Sequence, residues 1–374
     1  MARFERYVDI LLTALFSIFI LLIGTLIVFL PQKNFSEREN RSLATFPEPS
    51  ADSLGSGKFF SELGDFYSDQ LPFRESFGSL YSLAELVRTG GEVNGVRLCE
   101  GDTLVARSEG LNTEILQNNV MAISKLCDKN HSSVFFCPPD KESVFSNNLP
   151  QALKKAPPSD ALFETSNAFL NYVSKEPHRY YYRTDHHWTT SGAYAAYVFL
   201  CEELEITPYG EELFTCQSVS GDFYGSSFRR SALPRSLISP DRILLYRYDD
   251  DTSVRVTVHG TQDSEKGLYD LNALDGSDKY CVFLGGNYAH LSVRKDTGVK
   301  REKMLLIKDS FANSMIPFLA LHYDLEIVDP RYAEPSLLQG LCKSENFDKT
   351  LILCSHTTLA TEKSYALAIN SLLP

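Results

Sequence analysis

No stretch of the chain repeats another, no tract is of low complexity, and no excess of positive charge is present. The 36 lysines and arginines are outnumbered by 48 aspartates and glutamates, giving a formal net charge of −12. A chain with so few cations has little with which to replace the counterions of a nucleic acid, and no nucleic-acid partner is expected. The same deficit argues against a catalytic domain lying flat on anionic lipid. Zinc-type spacing is missing as well: none of the eight cysteines shows CxxC spacing, and no Cys/His cluster falls at structural-zinc intervals. Several cysteines sit instead on apolar runs, SSVFFC, CVFLGG and LILC, where buried free thiols are the natural reading. An exported protein normally pairs some of its cysteines, so this count leaves the compartment open.

Long hydrophobic runs are scarce, with one exception. Ile10 to Leu30 is 21 residues without a charge, close to the roughly 20 needed to span a bilayer core. It exceeds the hydrophobic region of a cleaved signal, and no small-x-small site follows it. We read an N-terminal anchor over residues 1–33. Arg3 and Arg6 precede the span and Lys33, Arg38 and Arg41 follow it, so charge alone does not orient it.

Residues 34–100 read as a stalk, Asn34 to Gly57, followed by an amphipathic segment, Phe59 to Val87, broken at Pro72 into two helices. From residue 101 to 374 apolar strand-like runs alternate with helical ones. A helix is expected from Leu111, strands at SSVFFC, Tyr180–Arg183, YCVFLGG, MLLI, LEIVD and LILC, and a helix over Thr189–Leu204. That pattern predicts an α/β fold with a largely parallel sheet covered on both faces. A β-rich insertion is expected at about 214–280, containing a hairpin from Arg242 to Gly260.

The chemistry concentrates in YYYRTDHHWTT, Tyr180 to Thr190, which holds the sole tryptophan. On an extended segment Asp185 and His187 point the same way, so the carboxylate could orient the imidazole, while His186 points away. A partner lies in KMLLIKDSFANSM, where Ser310 follows an apolar strand and opens a helix. That is the edge where open α/β sheets carry their sites, and helix-terminal N–H groups there suit an oxyanion. Standing alone, Asp309 or Ser310 would be a helix cap. YCVFLGGN adds Gly285, Gly286 and Asn287, whose N–H and amide groups could also face an oxyanion. A metal-dependent phosphoesterase of Asp-His-His type would need further strand-end aspartates, and Asp249-Asp250-Asp251 sits in a turn instead.

Together, YRTDHHWTTSGAY, KDSFANSMIPFLA and FLGGN resemble the bacterial DHHW-motif protein family. More distantly, they resemble the alginate-acetyltransferase-like branch of the SGNH hydrolase superfamily. NFSERENRSLATFPE, CPPDKESVFSNNLP and GDFYGSSF resemble further stretches of that family. The resemblance implies an SGNH-hydrolase-like, mostly parallel sheet flanked by helices. It implies Ser310 as nucleophile, His187 as base and Asp185 as its orienting acid. Oxyanion donors would be the Ser310 N–H, Asn287, Gly285 and Gly286. Two departures stand out: Lys308 replaces the usual glycine before Asp-Ser, and the middle residue of Asp-x-His is a second histidine. Lys141, Arg183, Tyr182, Tyr224 and Tyr288 are candidate substrate contacts, Tyr180 and Tyr181 further sugar-stacking ones, with Trp188 packed under the loop. The implied activity is serine-dependent O-acetyl transfer or ester hydrolysis on an extracellular polysaccharide, without cofactor or metal. The implied setting is a cytoplasmic N-terminus and an extracytoplasmic catalytic domain. A multispanning membrane-bound O-acyltransferase is the implied partner supplying the acyl group. The competing reading is a surface protein that keeps the fold to bind glycan without turnover.

Overall fold

The computed structural model describes residues 2–146 and 161–373, so the end of the CPPDKESVFSNNLP stretch, 147–150, lies outside the described residues. The chain divides into two compact units at Arg88 and Thr89. In the first, the apolar run forms one helix, Ala2–Phe29. Its segment Phe4–Ile27, with mean hydropathy 2.8, is long and apolar enough to cross a membrane. Helices Lys58–Asp69 and Arg74–Thr89 flank Pro72, where the ring and Phe73 at φ 59° end the first helical run. Arg41 pairs with Asp69 at 2.5 Å, and Arg74 pairs with Glu39.

The second unit is built on a seven-stranded sheet. Its strands are β1 Ser133–Phe136, β2 Val254–Val258, β3 Ser264–Lys266, β4 His290–Lys295, β5 Glu302–Lys308, β6 Tyr323–Val328 and β7 Lys349–Leu353. They lie in the order β3-β2-β4-β6-β5-β7-β1. Strands β6, β5, β7 and β1 pair in parallel, whereas β3, β2, β4 and β6 pair antiparallel. The sheet is therefore mixed rather than mostly parallel. The parallel half carries the near-continuous apolar runs expected of strands covered on both faces. Met304, Leu306, Leu325 and Ile327 face a core containing Trp188 and helix Thr190–Glu203. Leu305, Ile307, Val328 and Ile352 face the opposite core, under helix Thr113–Lys129 and the C-terminal helices.

Three local expectations are corrected. The run Arg242–Gly260 is not a hairpin. Strand Asp241–Arg247 pairs with Thr215–Phe223 in a separate two-stranded sheet, while β2 joins the main sheet beside β4. The Asp-Asp-Asp-Thr segment carries the chain between sheets. Tyr280–Asn287 forms a short 3₁₀ turn, Lys279–Val282, and then a loop. Leu284, Gly285 and Gly286 take φ of 62°, 70° and 117°, which no strand accommodates. Tyr180–Arg183 is likewise not a strand: Pro177–Tyr180 is one helical turn, and an isolated bridge between Tyr181 and Trp188 closes the loop between them.

A buried amide joins the helices on the second face. Asn119, fully buried in mid-helix, donates to the carbonyls of Leu359 and Glu362 at 2.7 and 2.8 Å and accepts from Ala366 N–H at 2.7 Å. Asn119→Leu would leave three backbone groups without their partner. It is expected to lower stability by about 3 kcal/mol in urea unfolding followed by circular dichroism.

Candidate active site

Strand β5 ends at Lys308, and the backbone turns at Asp309 into a 3₁₀ segment, Ser310–Ser314. Asp309 is the cap: its carboxylate accepts from Phe311 N–H at 3.0 Å, Ser355 N–H at 2.8 Å and Thr358 Oγ1 at 2.9 Å. Capping thus falls to Asp309, and the Ser310 hydroxyl is left for another partner. That partner is His187, whose Nε2 lies 2.8 Å from Ser310 Oγ. On the other side of the ring, His187 Nδ1 lies 2.6 Å from Asp185 Oδ1. A carboxylate can only accept, so Nδ1 carries the proton and Nε2 accepts from the serine hydroxyl.

Asp185 is 2% exposed. Its Oδ1 also accepts from His187 N–H at 3.0 Å, and its Oδ2 accepts from Ser226 N–H at 2.7 Å and Ser226 Oγ at 2.9 Å. Burial alone would raise its pKa. The adjacent His186 and His187, with the donors from His187 and Ser226, outweigh burial and hold the carboxyl well below the usual range. The His187 ring stacks on Tyr280 with centroids 4.0 Å apart and planes at 5°. Tyr280 Oη in turn donates to the Ser310 carbonyl at 3.2 Å. Ring orientation is therefore set from both ends and from one face.

The loop that carries Asp185 is held on its backbone. Asp241 accepts from Arg183 N–H, Thr184 N–H and Thr184 Oγ1 at 2.7, 2.7 and 2.6 Å. Lys141 Nζ donates to the carbonyls of Arg183 and Asp185 at 2.8 and 2.9 Å. Segment 225–228 docks against the same loop, with Gly225 N–H on Thr184 Oγ1 at 3.0 Å and Phe228 N–H on the Thr184 carbonyl at 2.9 Å. The approach at Gly225 is so close that a Cβ there would meet Asp185 at 2.3 Å.

Ser310 opens onto a cavity of about 370 Å³ whose walls include Lys141, His186, Ser226, Ser227 and Arg230. His186 does not point away from the site as alternation along an extended segment requires. The segment is a tight loop, and the His186 and His187 rings lie 3.8 Å apart, with His186 Nδ1 2.6 Å from Ser226 Oγ. Enclosure by the walls, and then the neighbouring His187, lower the His186 pKa to about 4.

Other expected contacts lie elsewhere. Tyr180, Tyr181 and Tyr182 are 3%, 1% and 2% exposed and belong to the core, Tyr182 against Phe223 and Tyr280. Tyr224 packs on Phe228 under Arg235, and Tyr288 lies beneath Lys266. Arg183 pairs with Asp102 at 3.3 Å. Neither these five tyrosines and Arg183 nor Gly285, Gly286 and Asn287 wall the cavity. The Asn287 Oδ1 accepts from Lys308 Nζ at 3.0 Å and Asn313 Nδ2 at 3.1 Å. The departure at Lys308 thus has a structural use: its buried ammonium also donates to Asn313 Oδ1 at 2.7 Å and lies 3.6 Å from Asp329. Trp188 packs under the loop as expected, edge-on to Phe311 at 5.2 Å, with Nε1 on Ser314 Oγ at 2.9 Å. Sequence reasoning missed Ser226, Asp241 and Tyr280. The only signal for the first was its place in GDFYGSSF, and nothing marked the other two.

A family model, that of the DHHW proteins, matches residues 168–328. A DHHW family protein from Eubacterium siraeum superposes with a TM-score of 0.56 at 18% identity, over 74% of this chain and 95% of its own. Bacillus cereus PatB1, in a structure with a sulfonyl adduct, gives 0.56 at 17% identity, over 72% and 98%. The O-acetyltransferase domain of Pseudomonas putida AlgJ covers 74% and 99% at 16% identity, but its TM-score of 0.40 is too low to bear on the fold. No curated protein matches the chain significantly. The resemblance to the DHHW family is thus shown, and the Eubacterium siraeum and Bacillus cereus structures share the fold.

Lys141, 3% exposed, has its pKa pushed down to about 8, first by burial and against the pull of Asp241 and Asp185. The unfolded chain titrates this amine near 10.5. Between those values the folded state binds fewer protons than the unfolded one. The contribution of this residue to stability therefore rises with pH across that window and is lowest at neutral pH. The unfolding free energy of the parent minus that of Lys141→Met is expected to grow by about 3 kcal/mol at most from pH 7 to pH 10 in urea titrations. A difference independent of pH would contradict a buried ammonium.

Proposed function

We propose that the protein is a membrane-anchored, serine-dependent O-acyltransferase or esterase acting on an extracytoplasmic polysaccharide. The observation that carries this reading is the continuous relay from Asp185 through His187 to Ser310, at 2.6 and 2.8 Å, opening onto a cavity. In the first step His187 Nε2 takes the Ser310 proton as Oγ bonds to the acyl carbon. The tetrahedral intermediate collapses, the bond to the leaving oxygen breaks, and His187 returns the proton to that oxygen. In the second step a sugar hydroxyl or water gives its proton to His187 and attacks the acyl-serine, and Ser310 regains its hydrogen. Asp185 stays ionised throughout and stabilises the imidazolium. Transfer over hydrolysis requires that the acceptor sugar fill the cavity and exclude water.

The walls fit a polar acceptor. Arg107, Arg230, Glu109 and Asp140 line the cavity, and no tyrosine does, so sugar recognition falls to hydrogen bonds and charge rather than stacking. In this reading helix Ala2–Phe29 is the anchor, with the N-terminus cytoplasmic and the domain outside. The acyl group then comes from a multispanning membrane-bound O-acyltransferase.

A metal-dependent reading has one observation in its favour: Asp185, His186 and His187 bring ligand atoms within 4.8 Å of one another. Against it, His187 engages both ring nitrogens, one with Asp185 and the other with Ser310.

The test is release of the chromophore from a chromogenic acetyl ester. We expect turnover by the parent, at least about a 1,000-fold loss in Ser310→Ala and in His187→Ala, and no effect of EDTA. A trapped acetyl group is expected on Ser310 by mass spectrometry. Loss of activity with EDTA would move the site to metal chemistry. Glycan binding without turnover by a folded parent, unchanged in Ser310→Ala, would mark a binding protein.

A further inference from the structure

Segment 225–228 spends its hydrogen bonds on the loop that carries Asp185, with one exception. The Gly225, Ser226 and Phe228 N–H groups go to Thr184 Oγ1, Asp185 Oδ2 and the Thr184 carbonyl, and the Ser226 hydroxyl goes to Asp185 Oδ2. Ser227 lies between them, 1% exposed, and its hydroxyl has no hydrogen-bond partner. Its N–H likewise takes no partner among the described residues. A buried hydroxyl left unpaired is uncommon in a native structure and calls for an explanation.

The position of Ser227 supplies one. It lines the same cavity as Ser310. Its neighbour Ser226 is bonded to the carboxylate that orients His187, so Ser227 is fixed in place by the relay itself. Of the donors read from the sequence only the Ser310 N–H belongs to a residue of the cavity wall, and Ser227 would act beside it: Asn287 has its side-chain oxygen on Lys308 and Asn313, and neither it nor Gly285 and Gly286 line the cavity.

We propose that Ser227 is a catalytic residue whose hydroxyl and N–H donate to the oxyanion formed when Ser310 attacks the acyl carbon. This rests on the serine-acyl reading above. The bond from Ser310 Oγ to the acyl carbon moves an electron pair onto the carbonyl oxygen, and the two Ser227 donors meet that charge. No proton leaves Ser227. Donors of this kind act on the transition state more than on ground-state binding.

The experiment compares the parent, Ser227→Ala and Ser227→Thr in turnover of a chromogenic acetyl ester. Thermal unfolding verifies folding, and sulfonyl-fluoride labelling of Ser310, read by intact mass, is followed in parallel. For Ser227→Ala we expect kcat to fall about 100-fold with KM within about threefold of the parent. Ser227→Thr keeps a hydroxyl and is expected to recover most of that loss. Equal kcat in Ser227→Ala and the parent would overturn the assignment while leaving the serine reading intact. So would a loss in Ser227→Ala that Ser227→Thr, folded to the same melting temperature, does not relieve. Failure of the parent to turn over the ester or take the label at Ser310 would overturn the serine reading and this assignment with it.

Discussion

One buried carboxylate decides how this site is built. Asp185 receives the His187 ring on one oxygen and the Ser226 backbone and hydroxyl on the other. Without those donors a charge at 2% exposure would be expensive to hold. With them, the ionised form is favoured and two segments distant in sequence are locked to one point. The tolerance of that lock is small, because Gly225 must lack a Cβ for the two backbones to meet. Asp241 on the N–H groups and Lys141 on the carbonyls then fix the loop along its length.

The nucleophile's side is organised by the same economy of polar groups. Asp309 takes up the Phe311 N–H just past the end of β5 and the Ser355 N–H just past the end of β7, which leaves the Ser310 hydroxyl uncommitted to capping. Beneath the turn, Lys308 bonds Asn287 and Asn313 and lies beside Asp329, which Arg331 holds at 2.6 and 2.9 Å. Tyr365 donates to the Lys308 carbonyl at 2.7 Å. A glycine at this position would leave Asn287 and Asn313 without their shared cation. The loop 284–287 therefore supports the turn from below, with its glycines serving left-handed backbone rather than an approaching ligand.

Much of this was legible in the sequence because apolar runs and caps are local signals. MLLI, LEIVD and LILC carry enough buried surface to name themselves as strands, and Thr189 caps the helix that begins after it. The grouping of Asp185, His187 and Ser310 was legible because residue type and strand-end position both pointed there. Strand partners were not: nothing in Arg242–Gly260 says that its two halves belong to different sheets, since pairing is settled by distant chain. Likewise, period-two reasoning sent His186 outward, and the bridge from Tyr181 to Trp188 shows why it failed: a closed loop has no alternation to obey. The stacking tyrosines were misread for a related cause. An aromatic run beside a strand is more often core than surface, and three of them are nearly inaccessible.

Trp188 has a consequence of a different kind. It is the only indole in the chain, it is fully buried among Phe136, Phe169 and Phe311, and its N–H rests on Ser314, four residues past the nucleophile. Excited beyond the absorption of the 19 tyrosines, the emission of the protein therefore comes from the floor of one loop. Its colour and quenching then report the dryness of that floor without a label.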